Sequence, residues 1–321
     1  MKEYKTNEDL IRYLSSKGVT ISDKADALQK IERYTYYSIV NTYKSIFKDK
    51  NGKYIDNVTF DEIYALFEFD KELKNTILKY CLEIETVIKS IMANQISRVY
   101  GVKEYLKITN WDNNISDDIK ENLFNKINNE IEKDYNTHTA VTHYIDKYGF
   151  VPPFVLVKIL TFGVASSYYG LLKQSDRQAI AKYFKISDKL LKQILKNLTT
   201  IRNVAAHSDR LYNYTSKFYL SFKLIDKEYI KSDNITNLYM MIRCMEKLLT
   251  NEQYSDLCNL IDEEIKKLNQ KLNSIKIDKV LKIMGFPVNN NQKYEYNKNE
   301  RYLENFWSSK SFHSLESTWR F

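Results

Sequence analysis

After Thr59 the chain carries the feature that most constrains its fold: an apolar stripe in helical register. Leu73, Ile77, Cys81, Ile84, Ile88 and Ile91 follow one another at intervals of 4, 4, 3, 4 and 3 residues, the repeat of one face of an α-helix. Thr59-Phe60-Asp61-Glu62 places a hydroxyl and a carboxylate three residues apart ahead of it, the signature of a capping box. The spacing predicts a long helical region ending near Tyr100-Gly101, with an interruption near Phe69-Asp70.

The remaining chain reads in the same way. Glycine (7) and proline (3) are scarce in 321 residues, which argues against a β-sandwich or barrel and for long helices with few connections. Residues 6–16 and 23–46 are expected to be helices separated at Gly18, and Lys48 to Asn57 a polar loop. Ser116 starts a helix with Ile119, Leu123, Ile127 and Ile131 inward. Tyr148 to Pro153 is a break, because Pro152-Pro153 can only start a helix. Phe154 to Leu172 is apolar nearly all round and is expected to be central. A short helix over Ser175 to Phe184 precedes one capped by Ser187, whose stripe is Leu191, Ile194, Leu198, Ile201 and Ala205. Phe218, Leu220, Phe222 and Leu224 alternate with other residues, which allows a short hairpin with Tyr229-Ile230. Helices return over 234–249, 252–274 and 277–284, and the last 30 residues form a polar and aromatic tail. The expected organisation is an N-terminal helical segment (1–57), a helical domain (58–275), and a short helix with a surface tail (276–321).

Composition narrows the partners. The formal charge of +8 suits a polyanion, although many soluble proteins share it. Cys81, Cys244 and Cys258 are far apart and odd in number, so they read as buried thiols in a reducing cytoplasm and not as a zinc or disulfide framework. No run of about 18 apolar residues is long enough to span a membrane, and the N-terminus lacks an apolar signal core.

The chemistry concentrates at the end of the Ser187-capped helix. Asn203 and His207 are four residues apart, so they share a face nearly opposite the Leu191–Ala205 stripe. Arg202 and His207 are separated by about 140° around the axis, so Arg202 leaves from the edge of the core stripe and must curl to join them. Histidine moves protons near neutral pH. Arginine can hold a phosphate and the extra charge of a phosphorane, and the amide can orient the histidine or bind a phosphoryl oxygen. This set suits metal-free cleavage of RNA, whose 2′-hydroxyl is an internal nucleophile. Cleavage needs both a base and an acid, and an outward-facing histidine agrees with a site assembled across a dimer. The bland alternative is a helix-terminal histidine favoured by the dipole, beside a surface arginine.

Arg202-Asn203-Val204-Ala205-Ala206-His207 resembles the R-x-x-x-x-H signature of HEPN domains. Leu198 to Asn213, ending Arg210-Leu211-Tyr212-Asn213, is similar to the abortive-infection Abi-like family of the AbiD/AbiF type. Tyr34-Thr35-Tyr36-Tyr37 resembles that family's early Asn-Tyr-Tyr-like segment, and Phe60 to Gln95 its long helical block. Leu160-Thr161-Phe162-Gly163 resembles its Leu-Ser-Phe-Gly turn, and Met284-Gly285-Phe286-Pro287 its C-terminal Met-Gly-Phe-Pro. The resemblance covers roughly residues 28–290. It implies an all-α, HEPN-type bundle with extra N- and C-terminal helices, phage defence of a toxin type, and a metal-independent endoribonuclease without cofactor. It further implies Arg202 and His207 as the catalytic pair and Asn203 as the polar helper. The family often has a second histidine after the catalytic one, where this chain has Ser208.

Other residues carry weaker signals. Glu85 and Lys89 either line the cleft or form an i,i+4 surface pair. Lys189, Lys192 and Lys196 form either an RNA-facing strip or a solvated face. Arg210 and Tyr212 could bind phosphate and stack a base, or Tyr212 could pack the helix end. His138 and His143, five residues apart, have no accompanying ligand pattern for a metal. Asp61, Glu62 and Glu68 sit at a helix start, where acidic residues favour the dipole. The expected function is a cytoplasmic HEPN ribonuclease acting as a homodimer or higher oligomer. Its partners would be substrate RNA and a restraining element such as a non-coding RNA. The alternative is a non-catalytic RNA-binding or regulatory HEPN protein.

Overall fold

A computed structural model describes residues 4–207, 209–221 and 236–286. The fold is all-α. In order, the helices are α1 (Asn7–Ser16), α2 (Lys24–Tyr34), α3 (Phe60–Tyr100), α4 (Asp117–Asp134), α5 (Thr139–Tyr148) and α6 (Pro153–Ile159). They continue with α7 (Phe162–Leu171), α8 (Gln174–Tyr183), α9 (Asp188–Ala206), α10 (Leu238–Glu246), α11 (Asn251–Lys271) and α12 (Ile277–Met284). One antiparallel pair of two-residue strands, β1 (Thr215–Ser216) and β2 (Thr236–Asn237), sets Thr215 opposite Asn237.

α3 is the axis. Its capping box forms as the sequence predicts: the Thr59 hydroxyl accepts from the Glu62 N–H, and the Glu62 side chain accepts from the Thr59 N–H. The helix runs for 41 residues, about 60 Å at 1.5 Å per residue. Leu73, Ile77, Cys81, Ile84 and Ile88 are buried, and α6, α8, α9 and α11 pack along it. The buried apolar residues form one cluster reaching from Ile11 to Phe286. The interruption expected at Phe69-Asp70 is absent, because Asp70 does not compete for its own backbone.

Asp70 instead fastens other parts of the chain. One carboxylate oxygen accepts the Tyr43 hydroxyl at 2.7 Å, and the group also accepts the N–H of Leu211 (3.1 Å) and of Tyr212 (2.6 Å). Burial pushes this carboxyl above the usual carboxylate range, against the opposing pull of those hydrogen bonds. Two further buried polar side chains of α3 do similar work. Glu62 accepts the N–H groups of Asn273 (2.7 Å) and Ser274 (2.6 Å) between α11 and α12. Gln95 donates to Asp176 of α8 at 2.9 Å.

Several predicted boundaries shift for local reasons. The helix expected over 23–46 stops at Tyr34, because Thr35 takes φ of +65°, which helical backbone cannot follow. A five-residue π-turn (Tyr37–Asn41) and a short 3₁₀ turn (Lys44–Phe47) replace the rest. The span Phe154 to Leu172 is two helices, because Leu160 is extended and the Thr161 hydroxyl caps α7 by accepting from Val164. α5 goes unpredicted; only Val141 of it is buried, too little to set a period. Ile119, expected inward, is 57% exposed. Phe222, Leu224, Tyr229 and Ile230 of the expected hairpin, the start of the 234–249 helix and the last 30 residues lie outside the described residues. The short pairing that is described joins residues flanking them.

Replacing Asp70 with Ala leaves two buried N–H groups and a buried phenol unpaired. The expected loss is about 2–4 kcal/mol, read from urea unfolding at fixed m-value. Asp70→Asn keeps one carbonyl oxygen for the two N–H groups and should cost clearly less. Equal losses in the two variants would show that hydrogen bonding is not what Asp70 supplies.

Candidate functional site

α9 begins where the Ser187 hydroxyl accepts from the Leu190 N–H at 3.2 Å. Its predicted stripe, Leu191, Ile194, Leu198, Ile201 and Ala205, is buried throughout. This fixes the rotation of the helix and sends Asn203 outward, where it is exposed. Ala206 is the last helical residue. His207 is the cap, in extended conformation, with its N–H on the Val204 carbonyl and its ring exposed. Among the described residues, no side chain hydrogen-bonds the His207 ring.

Arg202 leaves from the edge of the buried stripe and is held from behind. Its Nε lies 3.8 Å from Glu85 Oε2 of α3, and its Nη1 donates to Asn203 Oδ1 at 3.4 Å. Glu85 also binds Lys89, whose Nζ lies 2.6 Å from Glu85 Oε1 and donates to the Leu160 carbonyl at 2.5 Å. Lys89 thereby takes up the carbonyl freed where α6 stops. The Arg202–Glu85 contact is an ion pair too long for a hydrogen bond, and both Arg202 Nε and Glu85 Oε2 are buried without a hydrogen-bond partner. Glu85 and Lys89 form an i,i+4 pair that is largely buried, not a surface pair. Both also line a groove of about 640 Å³ between α3 and α6, whose exposed apolar residues are Leu82 and Phe154.

The lysines of α9 separate. Lys192 and Lys196 line a second groove, of about 420 Å³, with Lys126 of α4 opposite, while Lys189 is exposed outside it. Gly170 allows this arrangement: a Cβ there would sit 3.1 Å from Lys192 Cε. The Lys192 ammonium reaches the Gly170 carbonyl at 3.3 Å, and burial lowers its pKa below the ordinary lysine range. Lys196 lies over the Phe218 ring at 4.0 Å, a cation–π distance. Lys196 and His207 are eleven residues apart, about 20° around the helix and roughly 16 Å along it. On an ideal helix this spacing puts Lys196 on the same side of α9 as the point where the chain reaches His207.

The segment after His207 is anchored, not free. Arg210 Nη1 donates to the Thr42 carbonyl at 2.9 Å. Tyr212 is 1% exposed and stacks on Tyr43 with ring centroids 6.0 Å apart. Tyr212 packs the helix end, so its expected use as a base-stacking ring is corrected: neither face of the ring is open. Arg210 ties the motif to the turn before Tyr43.

Glu62, read as a dipole-favouring acid, is fully buried and binds backbone. Among the described residues no three His, Cys, Asp or Glu side chains gather into a metal site, His138 and His143 included. Cys81, Cys244 and Cys258 are buried free thiols, and burial pushes Cys81 and Cys244 well above the usual thiol range. Lys126 was not foreseeable, because its place opposite Lys196 comes from the packing of α4 on α7. The anchoring role of Asp70 had one usable signal, an acid among apolar residues in mid-helix.

Residues 29–213 match the family model of Abi-like proteins, and the chain belongs to that family. The match covers more than half of the chain and ends just past Tyr212, where the motif segment is pinned to α3. No curated protein and no solved structure matches the chain.

Glu85→Ala removes the one carboxylate between Lys89 and Arg202. It should lower the unfolding free energy by about 2–3 kcal/mol, measured by urea denaturation. A change below about 0.5 kcal/mol would show the trio to be slack.

Proposed function

We propose that the protein is a metal-independent endoribonuclease of an abortive-infection system, with a HEPN-type fold and with His207, Arg202 and Asn203 as its catalytic set. Family membership suggests a function of the abortive-infection type. One observation carries the finer reading. α9 turns its chemistry outward at its end, while Arg202 is held at the edge by Glu85 and not spent on the core.

In this reading the base removes the proton of a ribose 2′-hydroxyl, and the 2′-oxygen attacks the adjacent phosphorus. Arg202 takes the charge that builds on the phosphoryl oxygens. Its Nε is turned inward to Glu85 while the side chain is 32% exposed, so a phosphate is met by the outer end of the guanidinium. Asn203 accepts from Arg202, and in this reading it steadies the guanidinium that meets the phosphate. The 5′-oxygen leaves with a proton from an acid, giving 2′,3′-cyclic phosphate and 5′-hydroxyl ends. Each chain offers one such histidine, so the second proton carrier is the His207 of a second copy. The exposed ring and the exposed apolar Leu82 and Phe154 near Glu85 favour that pairing. Lys126, Lys192 and Lys196 form the approach for the RNA backbone. The protein acts in the cytoplasm, where a restraining partner such as a non-coding RNA keeps it off.

His207→Ala and Arg202→Ala should each lower cleavage of cellular RNA by roughly 10²-fold or more and relieve growth arrest on induction, with RNA affinity largely kept. Cleavage should persist in EDTA. Undiminished cleavage by His207→Ala would overturn the assignment, and loss of activity in EDTA would remove its metal independence. RNA binding by a wild type that cuts nothing would favour the second reading, a non-catalytic RNA-binding protein.

Lys192→Glu combined with Lys196→Glu should weaken RNA binding across sequences and flatten its salt dependence by about two phosphate contacts. An unchanged salt slope would leave these lysines a solvated face.

A further inference from the structure

A second concentration of groups suited to an anion lies in the N-terminal region. α1 and the turn after it, the Tyr36–Phe47 segment, and the turn from Lys48 to Tyr54 enclose a pocket of about 540 Å³. That is within the range of small-molecule sites, roughly 300–1,000 Å³. Lys17, Lys44, Lys48 and Lys53 line it together with Tyr13, Tyr36 and Tyr54, and no carboxylate residue does. Among the described residues Lys17, Lys48 and Lys53 pair with no acid. The nearby Asp49 is committed: its carboxylate accepts the N–H groups of Asn51 and Lys53, both at 2.9 Å, and so holds the turn that presents Lys48 and Lys53. The like charges of Lys17, Lys48 and Lys53 around one cavity repel one another, and an anion relieves that repulsion.

The aromatic part is equally specific. Tyr13 is 45% exposed, and Tyr36 and Tyr54 are half-buried. Lys17 lies 5.3 Å from the Tyr13 ring centre and Lys48 4.9 Å from that of Tyr54. Burial raises the Tyr36 phenol to about 12, and the neighbouring Tyr13 adds to the rise. The backbone here is also unusual. Thr35, at φ of +65°, leads into the Tyr37–Asn41 π-turn. Strained residues and π-turns gather at functional sites, and this pair delivers Tyr36 to the pocket.

We propose that this pocket binds a nucleotide, its phosphate among the lysine ammoniums and its base against a tyrosine ring. Ammonium groups suit phosphate as point charges, and a base stacks on tyrosine whatever its sequence. The ligand is a free nucleotide or one nucleotide of an RNA strand. The pocket is separate from the His207 site, but the two share a wall. The Tyr36–Lys48 segment faces the pocket on one side, and on the other Thr42 and Tyr43 receive Arg210, Asp70 and Tyr212.

The test uses the full chain with His207→Ala, so that RNA probes survive. Calorimetry against 5′-AMP, ATP, inorganic phosphate and a short oligoadenylate RNA reads the affinity. AMP should bind more tightly than phosphate. The triple variant Lys17→Ala, Lys48→Ala, Lys53→Ala should weaken AMP at least tenfold, and Lys53→Ala alone, on an exposed turn, about fivefold. Tyr13→Ala should narrow the gap between AMP and phosphate. Oligoadenylate that binds more tightly than AMP and displaces it identifies the source as RNA. AMP or ATP that oligoadenylate does not displace identifies a free nucleotide. No binding of any nucleotide probe at about 1 mM, affinity unmoved by Lys53→Ala, or phosphate bound as tightly as AMP would each overturn the proposal. Loss of cleavage by His207→Ala bears on the catalytic reading alone, because this binding does not use that residue.

Discussion

The carboxylate of Asp70 does what a helix 41 residues long cannot do with apolar contacts alone: it fixes where other segments stop along the axis. Apolar packing tolerates sliding, whereas an N–H on a buried oxygen does not. α3 uses this device repeatedly. Glu62 holds the junction of α11 and α12, Asp70 the segment after His207, Glu85 the arginine of α9, and Gln95 the start of α8. Each lies on the buried side of α3 at a different height, so the helix works as a ruler against which the other elements are registered.

Two of these marks bracket the candidate site. Arg202 meets α3 at Glu85, and Leu211 and Tyr212 meet it at Asp70. α9 therefore runs antiparallel to α3, with His207 between the two contacts. The exposed histidine needs no partner of its own to be placed, because the chain on both sides of it is held. This divides the labour: buried polar groups supply position, and exposed ones remain open to a ligand.

How much was legible in the sequence follows from the range of each interaction. The stripes of α3 and α9 and the capping box at Thr59 are local, and they appear where the spacing puts them. The outward direction of Asn203 follows from the α9 stripe alone. What depends on distant partners was not readable. Asp70 looks like a helix interruption until Leu211 and Tyr212 are brought to it. Tyr212 looks available until Tyr43 covers it. Lys48 to Asn57 reads as a polar loop, and only the packing of α1 beside it makes the lysines face one cavity. Thr35 gives no sequence sign of its positive φ, since threonine rarely adopts one.

The cap at His207 has a further consequence. Helix α9 ends at Ala206, and the next residue fixed to α3 is Leu211. Four residues lie between them in the chain, a number set by the distance between the two posts. That number of residues cannot change without moving the histidine. The length of this segment, together with His207 and the Arg210 tie to Thr42, is therefore what descent should hold constant among chains that keep the site.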